Sequence, residues 1–170
     1  SVEKRSQCFR NAEKLKSWKN CSHRLLHLTT WLQHRVSSRS EDVAREWRLL
    51  EEGFSAQVAS DYRIGMKSLW RITAPEKPET TADGKVSYRH TSVLSIEGIS
   101  LEAAEDADWV SKLSNEEVER AFDHGAYARF GYPEWLDDLI ATKTDVVLST
   151  LKGIVKDEWN ATTDRHAPFL

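Results

Sequence analysis

The sequence predicts an all-α protein of seven or eight helices packed as antiparallel pairs, in a HEAT- or TPR-like helical-repeat array. Three observations lead to this prediction. Apolar residues recur at three- and four-residue steps through most of the 170 residues, which is the spacing of one face of an α-helix. Only 7 glycines and 4 prolines interrupt this pattern. The 7 tryptophans fall about one per helix, which suits side chains that wedge between neighbouring helices.

The first 72 residues predict three or four helices. A basic helix over residues 2–18 precedes a helix over 20–38. The second helix has a buried stripe of apolar residues about one turn apart: Leu25, Leu28, Leu32 and Val36. Ser40 is a suitable N-cap for the next segment, 41–72, because its hydroxyl can accept a hydrogen bond from an unpaired backbone N–H. This segment is either one long helix or two helices joined near Ser60.

Residues 73–86, TAPEKPETTADGKV, form the one clear break, because two prolines and an Asp-Gly pair mark a solvated loop. The loop separates a basic helical half, 1–72, from an acidic helical half, 87–160, and an irregular tail, 161–170, completes a single domain. The acidic half predicts helices over the following ranges: 88–104, 109–113, 115–130, 133–141 and 144–159. An inward-facing row is expected on the last helix: Val147, Leu148, Leu151, Ile154 and Val155. No strand is predicted.

The two halves differ in charge. Residues 1–72 carry 14 Lys and Arg against 8 Asp and Glu, whereas residues 73–170 carry 10 against 19. Two solvated surfaces of opposite sign explain this asymmetry. Alternatively, the basic half meets an acidic partner, either nucleic acid or the chain's own acidic half. Nucleic acid is not favoured, because the basic residues are scattered around every helix face instead of forming one stripe.

The sequence also indicates a setting. No apolar run is long enough to span a membrane, so no membrane partner is expected. Cys8 and Cys21 are too few for a disulfide framework, and a reducing cytoplasm is the simplest location. The chain opens on charged helical sequence without an initiator Met, which predicts a fragment of a larger protein.

Three histidines form the strongest candidate for a metal site. His23, His27 and His34 lie within 40° of one another on a helix. His34 is about 10 Å further along by helical rise, too far to complete a site with the other two, so no metal and no cofactor are predicted. The histidines lie opposite the apolar stripe. With Arg35 and Arg39 they form a polar face that we predict binds a partner.

No pattern in the sequence selects catalytic residues. A P-loop, a G-x-S-x-G elbow and an H-E-x-x-H pair are all missing. Acidic clusters precede Trp109 and follow Ser114, where helix dipoles and solvation explain them. No enzyme activity is therefore predicted for this chain, although a parent protein could carry catalysis elsewhere.

The stretch FGYPEWLDDL, 130–139, places three carboxylates beside a tryptophan, but it is better interpreted as a corner between two helices. Gly131 suits the positive backbone φ that ends a helix, and Pro133 suits the first turn of the next. The apolar face of that next helix consists of Trp135, Leu136 and Leu139. Asp137 and Asp138 should then face water.

Several motifs of the acidic half carry a family resemblance. They are Trp109 after an acidic stretch, a capping box at Ser114 and Glu117, the Tyr132-Pro133-x-Trp135-Leu136 turn, and a helix ending in Glu158-Trp159. With YRIGMKSLWRIT upstream, residues 60–160 resemble the helical C-terminal regions of large bacterial STAND/NACHT-like ATPases, which include proteins associated with phage defence. The resemblance carries over no active-site residue. Asp123, His124 and Gly125 depart from it, since small or aliphatic residues are usual there.

These observations predict a non-catalytic scaffold or sensor module of a larger bacterial protein. It would bind a protein partner or relay a signal to an ATPase domain elsewhere, and the resemblance implies antiviral defence. A nucleic-acid-binding helical domain that uses the basic half is the alternative. An enzyme or metal protein built on the histidines or the acidic clusters is a third hypothesis.

Overall fold

A computed structural model describes residues 19–36, 42–129 and 131–160, and it confirms the all-α prediction. The α-helices of these ranges are α1 (Lys19–Val36), α2 (Leu49–Gly53), α3 (Ala56–Ile72), α4 (His90–Glu105), α5 (Trp109–Lys112), α6 (Asn115–Ala126), α7 (Trp135–Thr142) and α8 (Thr144–Asn160). A 3₁₀-helix, Val43–Glu46, lies between α1 and α2. The helix predicted over 2–18, the Ser40 cap and the tail 161–170 lie outside the described residues.

The segment 42–72 divides at a different place from the one expected. The chain leaves the helical path at Phe54, and Ser60 lies inside α3, so one long helix and a junction near Ser60 are both wrong. The Ser55 hydroxyl accepts a hydrogen bond from the Val58 N–H at 3.2 Å and caps α3. A serine that caps a helix can stop one helix and start another without proline, because it satisfies a backbone donor that would otherwise be unpaired.

The loop between α3 and α4 contains a small hairpin, so the prediction of no strand is wrong. β1 (Glu79–Thr80) pairs antiparallel with β2 (Val86–Ser87). Gly84 has φ +78, and the Thr81 N–H donates to the Lys85 carbonyl at 2.8 Å. The Asp-Gly pair, noted only as a loop signal, is also a strong signal for a hairpin turn.

Two hydrophobic clusters share the pair formed by α3 and α4. The first joins α1, the 3₁₀-helix and α2 to this pair, around residues such as Leu25, Tyr62, Met66 and Leu94. The second joins the pair to α5, α6, α7 and α8, and it contains Trp70 and Ile99. Helix packing in pairs is therefore the organising feature of the described residues.

α4 and α3 approach each other most closely at Gly98. A Cβ at this position would lie 2.2 Å from the Met66 carbonyl oxygen, so the close approach requires glycine. Ion pairs line the same contact. Glu105 lies 2.6 Å from Arg63 and 2.7 Å from Lys67, and Glu102 lies 2.7 Å from Arg71.

Of the two local motifs of the acidic half, the capping box is confirmed and the corner is confirmed in part. Ser114 and Glu117 form a reciprocal capping box at the start of α6. Gly131 has the predicted positive φ (+100), and the buried residues of α7 are Trp135, Leu136 and Leu139, as expected. However, α6 ends at Ala126 and α7 begins at Trp135, so Gly131 does not end a helix and Pro133 lies before the first turn of α7. Asp137 and Asp138 are exposed, as expected.

Some tryptophans are buried as predicted, but part of the last helix is more exposed than predicted. Trp70, Trp109 and Trp135 are buried, and the rings of the last two meet edge to face at 5.9 Å. Leu148 is 47% exposed, so its predicted inward position is wrong, and Trp159, at 71% exposed, is not the wedge between helices that was expected. α8 packs against α6 and α7, and part of its apolar surface lies outside this contact.

We expect Gly98→Ala to lower the free energy of unfolding by about 1–3 kcal/mol, because the new methyl group overpacks a contact with rigid backbone. Gly153→Ala is the matched control. Gly153 also lies inside a helix, α8, but its added Cβ would meet nothing within 4 Å. The control should raise the free energy of unfolding by up to about 1 kcal/mol through helix propensity. Urea unfolding measures both, and shifts in the same direction would contradict the proposed role of the close approach.

Candidate interaction surface

The placement of α1 decides which of its residues face outward. Its buried side consists of Cys21, Ser22, Leu25, Thr29 and Leu32. The Thr29 hydroxyl lies 2.7 Å from the Tyr62 hydroxyl of α3, and this hydrogen bond between buried groups fixes the rotation of α1. Leu28 and Val36, predicted to be buried, are only partly covered.

The histidines and arginines singled out from the sequence lie where the pattern predicted, as far as they are described. His23, His27, His34 and Arg35 are all exposed on α1, whereas Arg39 lies outside the described residues. The His23 ring faces the His90 ring of α4 at 5.6 Å. Within the described ranges, no three metal-binding side chains come together.

An aromatic contact beside these residues was missed by the sequence analysis. The Trp31 ring of α1 meets Phe54, which follows α2, with centroids 5.2 Å apart, and the Arg35 guanidinium lies 4.7 Å over the Trp31 ring. Phe54 is nevertheless 50% exposed. We call the set of His27, Trp31, His34, Arg35 and Phe54 the α1 face.

Gly53 makes room for this contact. A Cβ at Gly53 would lie 2.4 Å from the Trp31 ring, so a larger residue would displace the indole. No local signal could have found the pairing, because Trp31 and Phe54 are far apart in sequence. The Gly-Phe pair directly after a short helix was the only hint, and such a pair is common.

The buried polar groups near the α1 face hold the fold together. The Glu97 carboxylate accepts a hydrogen bond from the Ala44 N–H at 2.8 Å and ties the 3₁₀-helix to α4. Asp61 accepts from the Gln57 amide at 2.8 Å. Burial raises the pKa of Tyr62, and the nearby Glu97 charge adds to this effect. Because Tyr62, Asp61 and Glu97 are almost fully buried, a substrate could not reach them.

The acidic residues of the α3–α4 contact are also structural. Burial opposes ionisation of Glu105, but hydrogen bonds from Arg63 and Lys67 outweigh it and lower its pKa to about 2. The Trp47 indole N–H donates to the same carboxylate at 3.1 Å. Glu117 combines its capping role with a 2.6 Å contact to Arg71. These carboxylates are neutralised by internal cations and donors, which does not suit a general acid or base.

His124, one of the residues that depart from the family resemblance, occupies an unusual position. It is 2% exposed and lies near the backbone of Trp70 and Thr73 at the end of α3. Neither ring nitrogen makes a well-formed hydrogen bond in the described part of the chain. Burial lowers the pKa of His124 to about 4, and the nearby Arg120 charge acts in the same direction.

We expect the fold to lose stability as the pH falls from about 6.5 to about 4. The His124 pKa is about 4 in the folded chain and near 6.5 in the unfolded chain, so only the unfolded chain binds a proton in this range. The loss should be on the order of 2–3 kcal/mol. Replacing His124 with leucine should remove most of this slope without lowering the stability at pH 7.

Urea unfolding at pH 7 and pH 4.5 measures this dependence for the wild type and for two variants. His27→Gln is the control, because His27 is exposed and its loss should leave the slope unchanged. Glu105 acts in a separate window, since its stabilising charge is lost only as the pH falls from about 4.5 towards 2. Equal slopes for the wild type and His124→Leu would show that the buried histidine is not responsible.

No helix of the described ranges combines the length and apolar character needed to cross a membrane. Cys21 is buried and disulfide-bonded, which is unusual in a reducing compartment.

Comparisons of the chain with protein-family models, with curated proteins and with solved structures found no match. The function must therefore be argued from the surface and the packing of the chain itself.

Proposed function

We propose that this chain is a non-catalytic protein-interaction module that binds a protein partner through the α1 face. The observation that carries the proposal is the half-exposed Phe54. Its ring packs against Trp31, and the Arg35 guanidinium lies over the Trp31 ring. Aromatic and arginine side chains are enriched at the energetic centres of protein interfaces. An exposed phenylalanine in a fixed position contributes apolar area that becomes favourable only when a partner covers it.

The positioning of the face supports the same function. α1 is anchored by the buried Thr29–Tyr62 hydrogen bond, and Gly53 allows the Trp31 ring to lie against the end of α2. A face of this kind is ordered before binding, so less conformational entropy is lost when a partner docks. This is what a scaffold or sensor module requires.

The wider setting is part of the proposal. We place the chain in a HEAT- or TPR-like array of a larger bacterial protein, where it would relay binding to an ATPase domain elsewhere in antiviral defence. The paired helices and the motifs within 60–160 support this placement. A cytoplasmic location follows from the same placement, and the disulfide at Cys21 is the observation that weighs against it.

A triple substitution tests the α1 face. His27→Ser, His34→Ser and Arg35→Glu together should reduce capture of the partner by at least about tenfold, because the face loses its cation and its polar border. The melting temperature should stay the same, since all three side chains are exposed. Quantitative affinity capture and thermal unfolding measure the two effects.

A matched triple variant serves as the control. Lys85→Glu, Glu116→Ser and Asp138→Ser change three exposed residues elsewhere with the same mixture of substitutions. A protein retained by the wild type and the control, but lost from the α1-face variant, supports the proposal. If every captured protein is retained equally by all three chains, the α1 face is not the binding surface.

Binding of nucleic acid by the basic half is the second candidate, favoured by the charge excess of residues 1–72. The structure reduces the charge available, because Arg45, Arg63, Lys67 and Arg71 are engaged in internal ion pairs. Among the other basic residues, Arg24, Arg35 and Arg48 are exposed.

We therefore expect no retardation of mixed DNA or RNA in a gel shift at low salt. Binding through phosphates would instead appear at low salt and weaken steeply as salt is added. Retardation that disappears in a variant with Arg24, Arg35 and Arg48 all changed to serine would make nucleic acid the better proposal.

A further inference from the structure

The last helix has two apolar sides, and only one of them is covered by the described helices. Val147, Leu151 and Ile154 pack against the second hydrophobic cluster, and α8 contacts α6 and α7 there. A second row runs along an adjacent side of the helix: Leu148, Val155 and Trp159, with the partly buried Leu151 at the border between the two sides. The row spans 11 residue steps, or about 16 Å of helix.

A shallow groove of about 460 Å³ accompanies this row, and it is lined by Leu151, Lys152, Val155, Lys156 and Trp159. Trp159 is 71% exposed, and Leu148, at the other end of the row and outside the groove lining, is 47% exposed. Leaving two large apolar side chains in water forgoes the free energy of their burial. A row of this length suits an elongated occupant such as a helix.

The two lysines give the groove a definite charge. Lys152 and Lys156 are one turn apart and both exposed, and they border the apolar row on the same side. Asp157 lies more than 100° around the helix from the row, so it does not contribute to the lining. We propose that this groove binds an amphipathic helix of a partner protein whose apolar side is bordered by Asp or Glu residues.

Charge argues against a second copy of this chain as the occupant. In a symmetric dimer the same patch meets itself, so Lys152 and Lys156 would face the lysines of the other copy. Like charges opposed at an interface are unfavourable. A partner with carboxylates at the edge of its apolar side would instead form ion pairs with both lysines.

Charge also argues against a membrane surface. A helix with lysines, leucine and tryptophan on one side can lie in a lipid interface. Residues 73–170, however, carry 19 acidic and 10 basic residues, and an anionic bilayer would repel this half as a whole. A bound helix is much smaller than a bilayer. The charges nearest to the helix determine its electrostatic attraction, because screening limits the reach of the other charges to about 8 Å at physiological salt.

A pair of designed peptides tests the proposal on the full chain. The first is an 18-residue amphipathic helix with leucines at three- and four-residue steps bordered by Glu, and the second has every Glu replaced by Lys. We expect fluorescence anisotropy to show binding of the acidic peptide at least about tenfold tighter than that of the basic peptide. Trp159→Ser should weaken binding of the acidic peptide by a similar factor.

The double variant Lys152→Glu and Lys156→Glu should reverse the preference between the two peptides. A control with Lys85→Glu and Lys112→Glu changes two exposed lysines elsewhere and should keep the wild-type preference. Circular dichroism confirms that each variant remains folded. Because none of these residues belongs to the α1 face, the result does not depend on whether the proposed function is correct.

Three outcomes would overturn the proposal. The first is equal binding of the two peptides by the wild type, or no binding of either. The second is an unchanged preference in the Lys152→Glu and Lys156→Glu variant. The third is sedimentation as a dimer, or with anionic vesicles, that is lost in Trp159→Ser while the acidic peptide does not bind.

Discussion

The close approach of α3 and α4 at Gly98 is the constraint on which the rest of the structure depends. The Met66 carbonyl occupies the space that any side chain at residue 98 would need. α4 is buried on nearly all sides through its middle, from Leu94 to Leu101, so it serves both hydrophobic clusters at once. Small residues make this double role possible, and Ser100 also accepts a hydrogen bond from the Trp135 indole at 3.1 Å. A larger residue at Gly98 would push α3 and α4 apart. We call this helix pair, which both clusters share, the shared wall.

This shared wall relates the two proposed surfaces to each other. The α1 face belongs to the cluster on one side of the α3–α4 pair, and the groove on α8 rests on helices of the other cluster. Ion pairs from Glu105 and Glu102 reinforce the wall at its border with water. Two binding surfaces supported by one rigid pair suit a scaffold, because occupants of both would be held at a fixed separation.

Local patterns predicted much of the fold, whereas contacts distant in sequence could not be foreseen. The capping box at Ser114 and the positive φ of Gly131 depend on residues within one or two turns, and both are confirmed. The exposed positions of His27 and His34 followed from helix geometry alone. The Trp31–Phe54 contact depends on how the end of α2 folds back on α1. Similarly, Leu148 belongs to a regular apolar pattern on α8. That pattern does not reveal how many of the apolar residues of α8 the neighbouring helices cover.

The two clusters also differ in how their buried polar groups are paired by hydrogen bonds. In the first, Thr29 and Tyr62 share a hydrogen bond, and Glu97 accepts one from a backbone N–H, so their burial is compensated. In the second, both nitrogens of His124 and the hydroxyl of Thr73 are buried without a well-formed hydrogen bond in the described residues. Uncompensated polar groups cost stability, and protonation of the imidazole would raise that cost. Protonation of His124 would therefore weaken the attachment of α6 to the end of α3, and α8, which carries the groove, packs on α6. α1, which carries most of the α1 face, is instead anchored by the Thr29–Tyr62 hydrogen bond.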